Sequence, residues 1–272
     1  MDRMKRRERL STSDQRCVFC LQEMGTTDEH IIPRSIGGEL IIKDGTCLSC
    51  LRAIQAWEAK LLSTHFSSAQ AILGIKTGSG KPRRRFKGPK WNEDFASFKL
   101  ADLRPDEHSG CVTTVNFEKP GIEVGRSPQE GFGRTVSINI TQIGVGANVP
   151  ALATVRAGGG WEFAPFLAKI AHSYWVAKRG HDSAHFVLQD LILGSHLGWA
   201  GYFIGRCEKV LPNDDLHFIE HRIASVAGEW WGCVDIALFS CFNSPDFQSR
   251  YTVYVGKLAT APYILRQPSQ SR

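Results

Sequence analysis

Two Cys-x-x-Cys pairs, Cys17-Val18-Phe19-Cys20 and Cys47-Leu48-Ser49-Cys50, stand 26 residues apart near the start of the chain. Each pair presents two sulfurs on one side of a short knuckle, and four soft ligands of this kind match a tetrahedral structural Zn²⁺. A metal clasp of this sort fixes the local fold before any core is counted. The four remaining cysteines, Cys111, Cys207, Cys233 and Cys241, are scattered without metal spacing and read as small buried hydrophobes.

Between the pairs lie residues a structural zinc does not need. Asp28 and Glu29 are adjacent carboxylates that abut His30, followed by Ile31-Ile32-Pro33 and Gly37-Gly38. Such a grouping suits a hard divalent ion and an imidazole that takes a proton from water near neutral pH. After Cys47 the apolar residues Leu51, Ile54, Trp57, Leu61 and Leu62 recur at helical spacing, which predicts a packed helix from about Leu48 to Leu62.

In these residues the chain resembles the HNH (His-Asn-His) endonucleases, in particular the subgroup with four zinc-binding cysteines. The resemblance covers about a fifth of the sequence. It implies a module of two strands and a helix held by zinc, with a separate catalytic Mg²⁺ or Mn²⁺. It also implies that His30 is the general base and that Glu29 holds the catalytic ion, with Asp28 as the second candidate because a regular pleat puts Asp28, not Glu29, on the face of His30. One position departs from the family: Leu51 stands where Asn or His commonly supplies another ligand. Glu58, seven residues further and about 10 Å along a helix, is a poor direct replacement. Two functions follow: a metal-dependent endonuclease hydrolysing phosphodiester bonds, or a catalytically weakened zinc protein that binds nucleic acid without cutting it.

The partner expected from charge is nucleic acid, with DNA ahead of RNA. The net charge is +6 and the pI about 8.9, which suits a polyanion. Residues 76–90 carry seven Lys or Arg and no acid, and Lys81, Arg83, Arg84, Arg85 and Lys87 are the candidate phosphate contacts. The charged start of the chain has no apolar leader, and the most apolar long window, residues 186–205, is broken by polar residues. Neither a secretory signal nor a membrane span is expected, and the cytoplasm is the expected compartment.

The expected organisation is a basic arm at 1–13, the zinc module at 14–66, a basic linker at 67–100 and an α+β domain at 101–272. That domain's antiparallel strands are expected at Val112–Phe117, Ile122–Val124, Thr135–Ile140, Leu216–Ile223, Cys233–Phe242 and Tyr251–Val255. Its two helices are expected at Trp161–Lys178 and Ser183–Leu193. His181 and His185, four apart, match a ligand spacing only if both lie on one helix.

Overall fold

The computed structural model describes residues 8–12, 14–67, 70, 74, 86–91, 98–103, 111–128, 137–142, 153–156, 163–194, 198–212, 214–240 and 249–258. The fold is mixed α+β with mainly antiparallel sheets.

The N-terminal unit contains β1 (Arg9–Leu10), β2 (Thr27–His30), β3 (Ile41–Thr46) and α1 (Leu48–Thr64). The central strand β3 pairs antiparallel with β2 and parallel with β1. Between β2 and β3 the chain makes a single 3₁₀ turn, Arg34–Ile36, closed by Gly37 at φ 92°. Helix α1 begins where Cys47 turns extended. Its buried residues Ile54 and Leu61 lie on the stripe expected from the spacing.

The next strands are β4 (Phe86–Trp91), β5 (Phe98–Leu103), β6 (Cys111–Asn116), β7 (Ser137–Gln142) and β8 (Ala153–Arg156). β4 and β5 form one antiparallel pair, and β6, β7 and β8 a three-stranded antiparallel sheet. The span 67–100, read from sequence as a linker, thus contains β4 and the first residues of β5.

Helix α2 (Phe163–Arg179) is followed by β9 (Ala184–Phe186), the four-residue helices α3 (Gln189–Ile192) and α4 (Ala200–Phe203), and the strands β10 (Ile204–Arg206), β11 (His217–Val226), β12 (Glu229–Leu238) and β13 (Arg250–Leu258). The last four strands form a sheet in the order β10-β13-β12-β11, and β9 also pairs with β13.

Two elements differ from the sequence expectation. Ile122–Val124 is part of a 3₁₀ turn, Gly121–Val124, because Pro120 and a left-handed Gly125 confine the short run with its two β-branched residues to a turn. The helix expected over Ser183–Leu193 is a strand followed by one helical turn: Ala184, His185 and Phe186 pair with Leu258, Lys257 and Gly256. The second half of the chain therefore has one long helix among the described residues, where two were expected.

A continuous buried cluster joins both halves. It runs from Phe19, Ile31, Ile36 and Ile54 to Phe166, Trp175, Val234 and Tyr251. Phe66, just past α1, packs its ring 5.3 Å from Phe163, 5.0 Å from Phe166 and 5.8 Å from Phe239. Polar bonds reinforce the junction, and the backbone carbonyls of the N-terminal unit receive many of them. His172 Nε2–H donates to Val18 at 2.7 Å, Gln189 to Phe19 at 2.8 Å, His181 to Arg16 at 3.0 Å and His217 to Ile36 at 2.8 Å. In return Trp57 donates to Ile192 at 3.0 Å. Among the described residues no helix is long and apolar enough to cross a membrane.

Candidate metal centre and buried charge cluster

The first cysteine pair sits in a tight turn before β2. Leu21, at φ 59°, donates its N–H to the Cys17 carbonyl at 3.0 Å, and Cys17 donates to Glu23 at 2.7 Å. The second pair opens α1: Cys47 is its N-cap, and Leu51 N–H reaches the Cys47 carbonyl at 3.0 Å. The four sulfurs all lie within 4.8 Å of one another. Cys20 Sγ and Cys47 Sγ are 3.9 Å apart. A tetrahedron with metal–sulfur bonds of about 2.3 Å has edges of about 3.8 Å, so the cluster fits zinc.

The surroundings suit a structural site. Cys17, Cys47 and Cys50 are buried and Cys20 is half-buried. Burial pushes the Cys17 thiol up to about 11 and, with the neighbouring thiols, raises Cys50 as well. At Cys20 burial opposes ionisation, but the backbone N–H groups of Gln22 and Glu23 outweigh it and lower the thiol. Ser49 Oγ lies 3.1 Å from Cys47 Sγ and donates its hydroxyl proton to Glu23 at 2.9 Å, so the serine and the acid pack beside the sulfur cluster. Cys207 and Cys233 are buried away from this cluster.

The residues between the pairs divide by face. Asp28 is exposed and accepts the Asp44 N–H at 3.2 Å. Glu29 points inward and is 4% exposed. The ladder is irregular here, since Thr27 pairs with Thr46 while Glu29 pairs with Ile42, and Asp44 takes φ 48° to absorb the extra residues. His30, at the end of β2, is half-buried. Strand geometry thus separates Asp28 from Glu29.

Both oxygens of Glu29 are engaged. Thr46 Oγ1 donates to Oε2 at 2.8 Å, and the Lys169 ammonium, brought in by α2, lies 2.6 Å from Oε1. The same ammonium is 3.0 Å from Glu58 Oε1 on α1 and donates to the His30 carbonyl at 2.9 Å. Burial raises the Glu29 carboxyl, with Lys169 pulling the other way; burial alone would lower Lys169, but Glu29 and Glu58 outweigh it and hold the ammonium charged. Glu58 therefore meets Glu29 across a shared lysine, a contact that spacing along α1 did not suggest.

Lys169 is the site residue that sequence reasoning missed. Its signal was a lysine between Phe166 and Ile170, on the apolar face of a helix that is buried over most of its length. His181 is held by the Arg16 carbonyl and lies 2.8 Å from Asp14. His185 is exposed on β9, so the two do not share a helical face. Of the candidate phosphate contacts, Lys81, Arg83, Arg84 and Arg85 lie outside the described residues, and Lys87 is placed only by its backbone in β4. Comparison of the chain with family models, with curated proteins and with solved structures finds no match.

Proposed function

We propose that the chain is a zinc-stapled nucleic-acid-binding protein built on an HNH-type module whose catalytic ion seat is filled, so that it grips its partner without cutting it. The observation that carries this reading is the Lys169 ammonium 2.6 Å from Glu29 Oε1. With Thr46 on the other oxygen, the carboxylate has neither oxygen turned to an incoming ion. Leu51, half-buried in the first turn of α1, adds no ligand in its place. Support for a polyanionic partner comes from the net charge of +6 and the seven cations of residues 76–90. In this reading Cys17, Cys20, Cys47 and Cys50 hold zinc that locks β2 and β3 against α1 and take no part in chemistry.

A second reading, a metal-dependent endonuclease, is favoured by one observation: His30 is half-buried at the end of β2, directly after Glu29. There His30 would take a proton from water while an ion held by Glu29, with Asp28 near it, polarised the phosphate. Glu29 would first have to leave Lys169.

One experiment separates the two. Zinc-loaded protein is mixed with labelled duplex DNA at several salt concentrations, and in parallel with supercoiled plasmid and Mg²⁺ or Mn²⁺. Salt-sensitive binding with intact plasmid is expected. Cleavage that disappears in His30→Ala would replace the first reading by the second, and absence of binding would defeat both.

A further inference from the structure

Strand β11 closes one side of the C-terminal sheet. It pairs with β12 from His217 opposite Leu238 to Val226 opposite Glu229 without a bulge, and among the described residues no strand lies on its other side. Long edges are normally blunted by proline, lysine or a bulge, and His217–Val226 has none of the three. Its side chains are half-buried at every position except the exposed Ser225. We propose that this edge pairs antiparallel with β11 of a second copy of the chain, joining two sheets into one across a two-fold axis.

The ladder fixes which backbone groups the edge offers. Leu238 N–H donates to the Ser249 carbonyl beside β13 at 3.0 Å, so Val234, Ile236 and Leu238 direct their backbone groups to β13, and Cys233, Asp235 and Ala237 direct theirs to β11. These three meet Arg222, Glu220 and Phe218, and alternation turns the N–H and C=O groups of Ile219, His221 and Ile223 outward. Two copies of β11 can therefore bond only where odd-numbered residues meet odd-numbered ones. Centred on Glu220, such a pairing sets Glu220 against its own copy; centred on Arg222, it sets Arg222 against Arg222. Centred on His221, it places each Glu220 opposite an Arg222, each Ile219 opposite an Ile223 and each Phe218 opposite an Ala224. Opposite charges across a ladder attract and like charges repel, so the edge is complementary to itself in the register centred on His221.

The surroundings fit this occupant. Arg222 gives its Nε–H to Asp235 at 2.8 Å, on a side chain that is still 33% exposed. Glu220 lies 2.6 Å from Lys209 through Oε2, an exposed pair that contributes little by itself and leaves Oε1 for the partner's Arg222. On the face towards α2, the His221 ring lies against the Tyr174 and Trp175 rings. Beside it Ile219, Tyr174 and Leu40 line part of a crevice of about 630 Å³. In the His221 register the partner's Ile223 stands next to Ile219 at this crevice, against an apolar wall.

The test uses no nucleic acid, so its outcome is independent of the proposed binding. Zinc-loaded wild type, Glu220→Gln and Glu220→Arg are compared by sedimentation velocity from about 1 to about 100 µM, with circular dichroism as the check on folding. Wild type is expected to dimerise. Its dissociation constant is expected to rise about threefold or more in Glu220→Gln and about tenfold or more in Glu220→Arg, which sets like charges across the ladder twice. If Glu220→Arg does not fold, Glu220→Gln alone decides. The register is read from His221→Cys: it brings the two copies of position 221 to a Cα separation of about 5.5 Å, so mild oxidation is expected to give a disulfide-linked dimer that oxidised wild type lacks. A wild type that stays monomeric to about 100 µM overturns the proposal. So does a dimer that the Glu220 variants leave equally tight, or one in which His221→Cys forms no cross-link.

Discussion

Lys169 Nζ lies 2.6 Å from Glu29 Oε1, and this ion pair joins the long helix α2 to the strand that carries His30. Neither charge is near enough to water to be left alone. Breaking a buried pair by removing one partner typically costs about 3–5 kcal/mol, because the other charge stays behind. Lys169→Met is expected to lose stability on that scale in urea unfolding. With the ammonium gone, burial of Glu29 is unopposed and its carboxyl rises further. A carboxyl raised in the folded state favours folding below its unfolded value and loses that contribution as pH rises. The gap between wild type and Lys169→Met should therefore be smaller at about pH 5 than at about pH 8. A gap independent of pH would remove Glu29 as the residue left uncompensated.

The sulfur cluster makes a separate prediction. One zinc per chain is expected by metal analysis, and a cobalt-substituted sample should show thiolate-to-metal absorption that Cys50→Ser weakens. Because Cys17, Cys47 and Cys50 belong to the shared buried core, stripping the ion should expose more than the knuckles. Structural zinc supplies roughly 10–16 kcal/mol of apparent binding free energy in small domains. Hydrogen exchange after chelation is expected to accelerate across β2, β3 and the start of α1, and to spread to α2 through Val18, which His172 holds, and to α3 through Phe19, which Gln189 holds. Zinc affinity unchanged in Cys50→Ser would sink the four-sulfur site.

The gathering of the four sulfurs was legible in the sequence because it is written in local spacing: two pairs of thiols, each closed by a short turn. Helix α1 was legible for the same reason, its stripe ending in Ile54 and Leu61, both buried. The strands β11, β12 and β13 carry enough apolar and β-branched residues to be recognised. What could not be read is whatever depends on partners far away in the chain. Ala184–Phe186 is a strand because β13 offers it a ladder, overriding a local pattern that suits a helix. The fate of Glu29 depends on Lys169, which arrives from the far side of the core, and no spacing rule inside residues 17–62 encodes that. The irregular pairing at Thr27 and Glu29 likewise decides the carboxylate's face through Asp44, a residue on the opposite strand.

Two buried histidines at the junction set an acid limit on stability. Burial lowers both His172 and His217 from 6.5 to about 4, although each Nε2–H donates to a carbonyl. His217 Nδ1 accepts the Phe239 N–H at 3.3 Å, and His172 Nδ1 is buried without a hydrogen-bond partner. A second proton on either ring would displace a donor or enter a dry site. The unfolded chain binds these protons more readily than the folded one, so stability falls as pH drops from about 6.5 towards about 4, by on the order of 3 kcal/mol per histidine. Urea midpoints measured across that range should decline steeply, and His172→Gln should flatten the decline. A wild-type midpoint that stayed constant down to about pH 4.5 would contradict the buried neutral state of both rings.

The turn that returns the chain from β2 to β3 depends on two adjacent glycines for different reasons. Gly37 closes the 3₁₀ turn at φ 92°, where a Cβ would also come 2.5 Å from the end of the Leu216 side chain. Leu216 can rotate aside, so Gly37→Ala is expected to cost about 1–2 kcal/mol, mostly backbone strain. Gly38 has no such relief. A Cβ there would lie 1.9 Å from the Ile32 carbonyl oxygen and 2.6 Å from its carbon, so the backbone itself must move. Ile32 follows closely on His30, and the Ile36 carbonyl in the same turn is held by His217, which resists the displacement from the other side. Gly38→Ala is therefore expected to cost more than about 3 kcal/mol and to raise hydrogen exchange at the end of β2, as read by thermal unfolding and mass spectrometry. Equal melting temperatures for Gly37→Ala and Gly38→Ala would mean that the carbonyl of Ile32 does not crowd this turn.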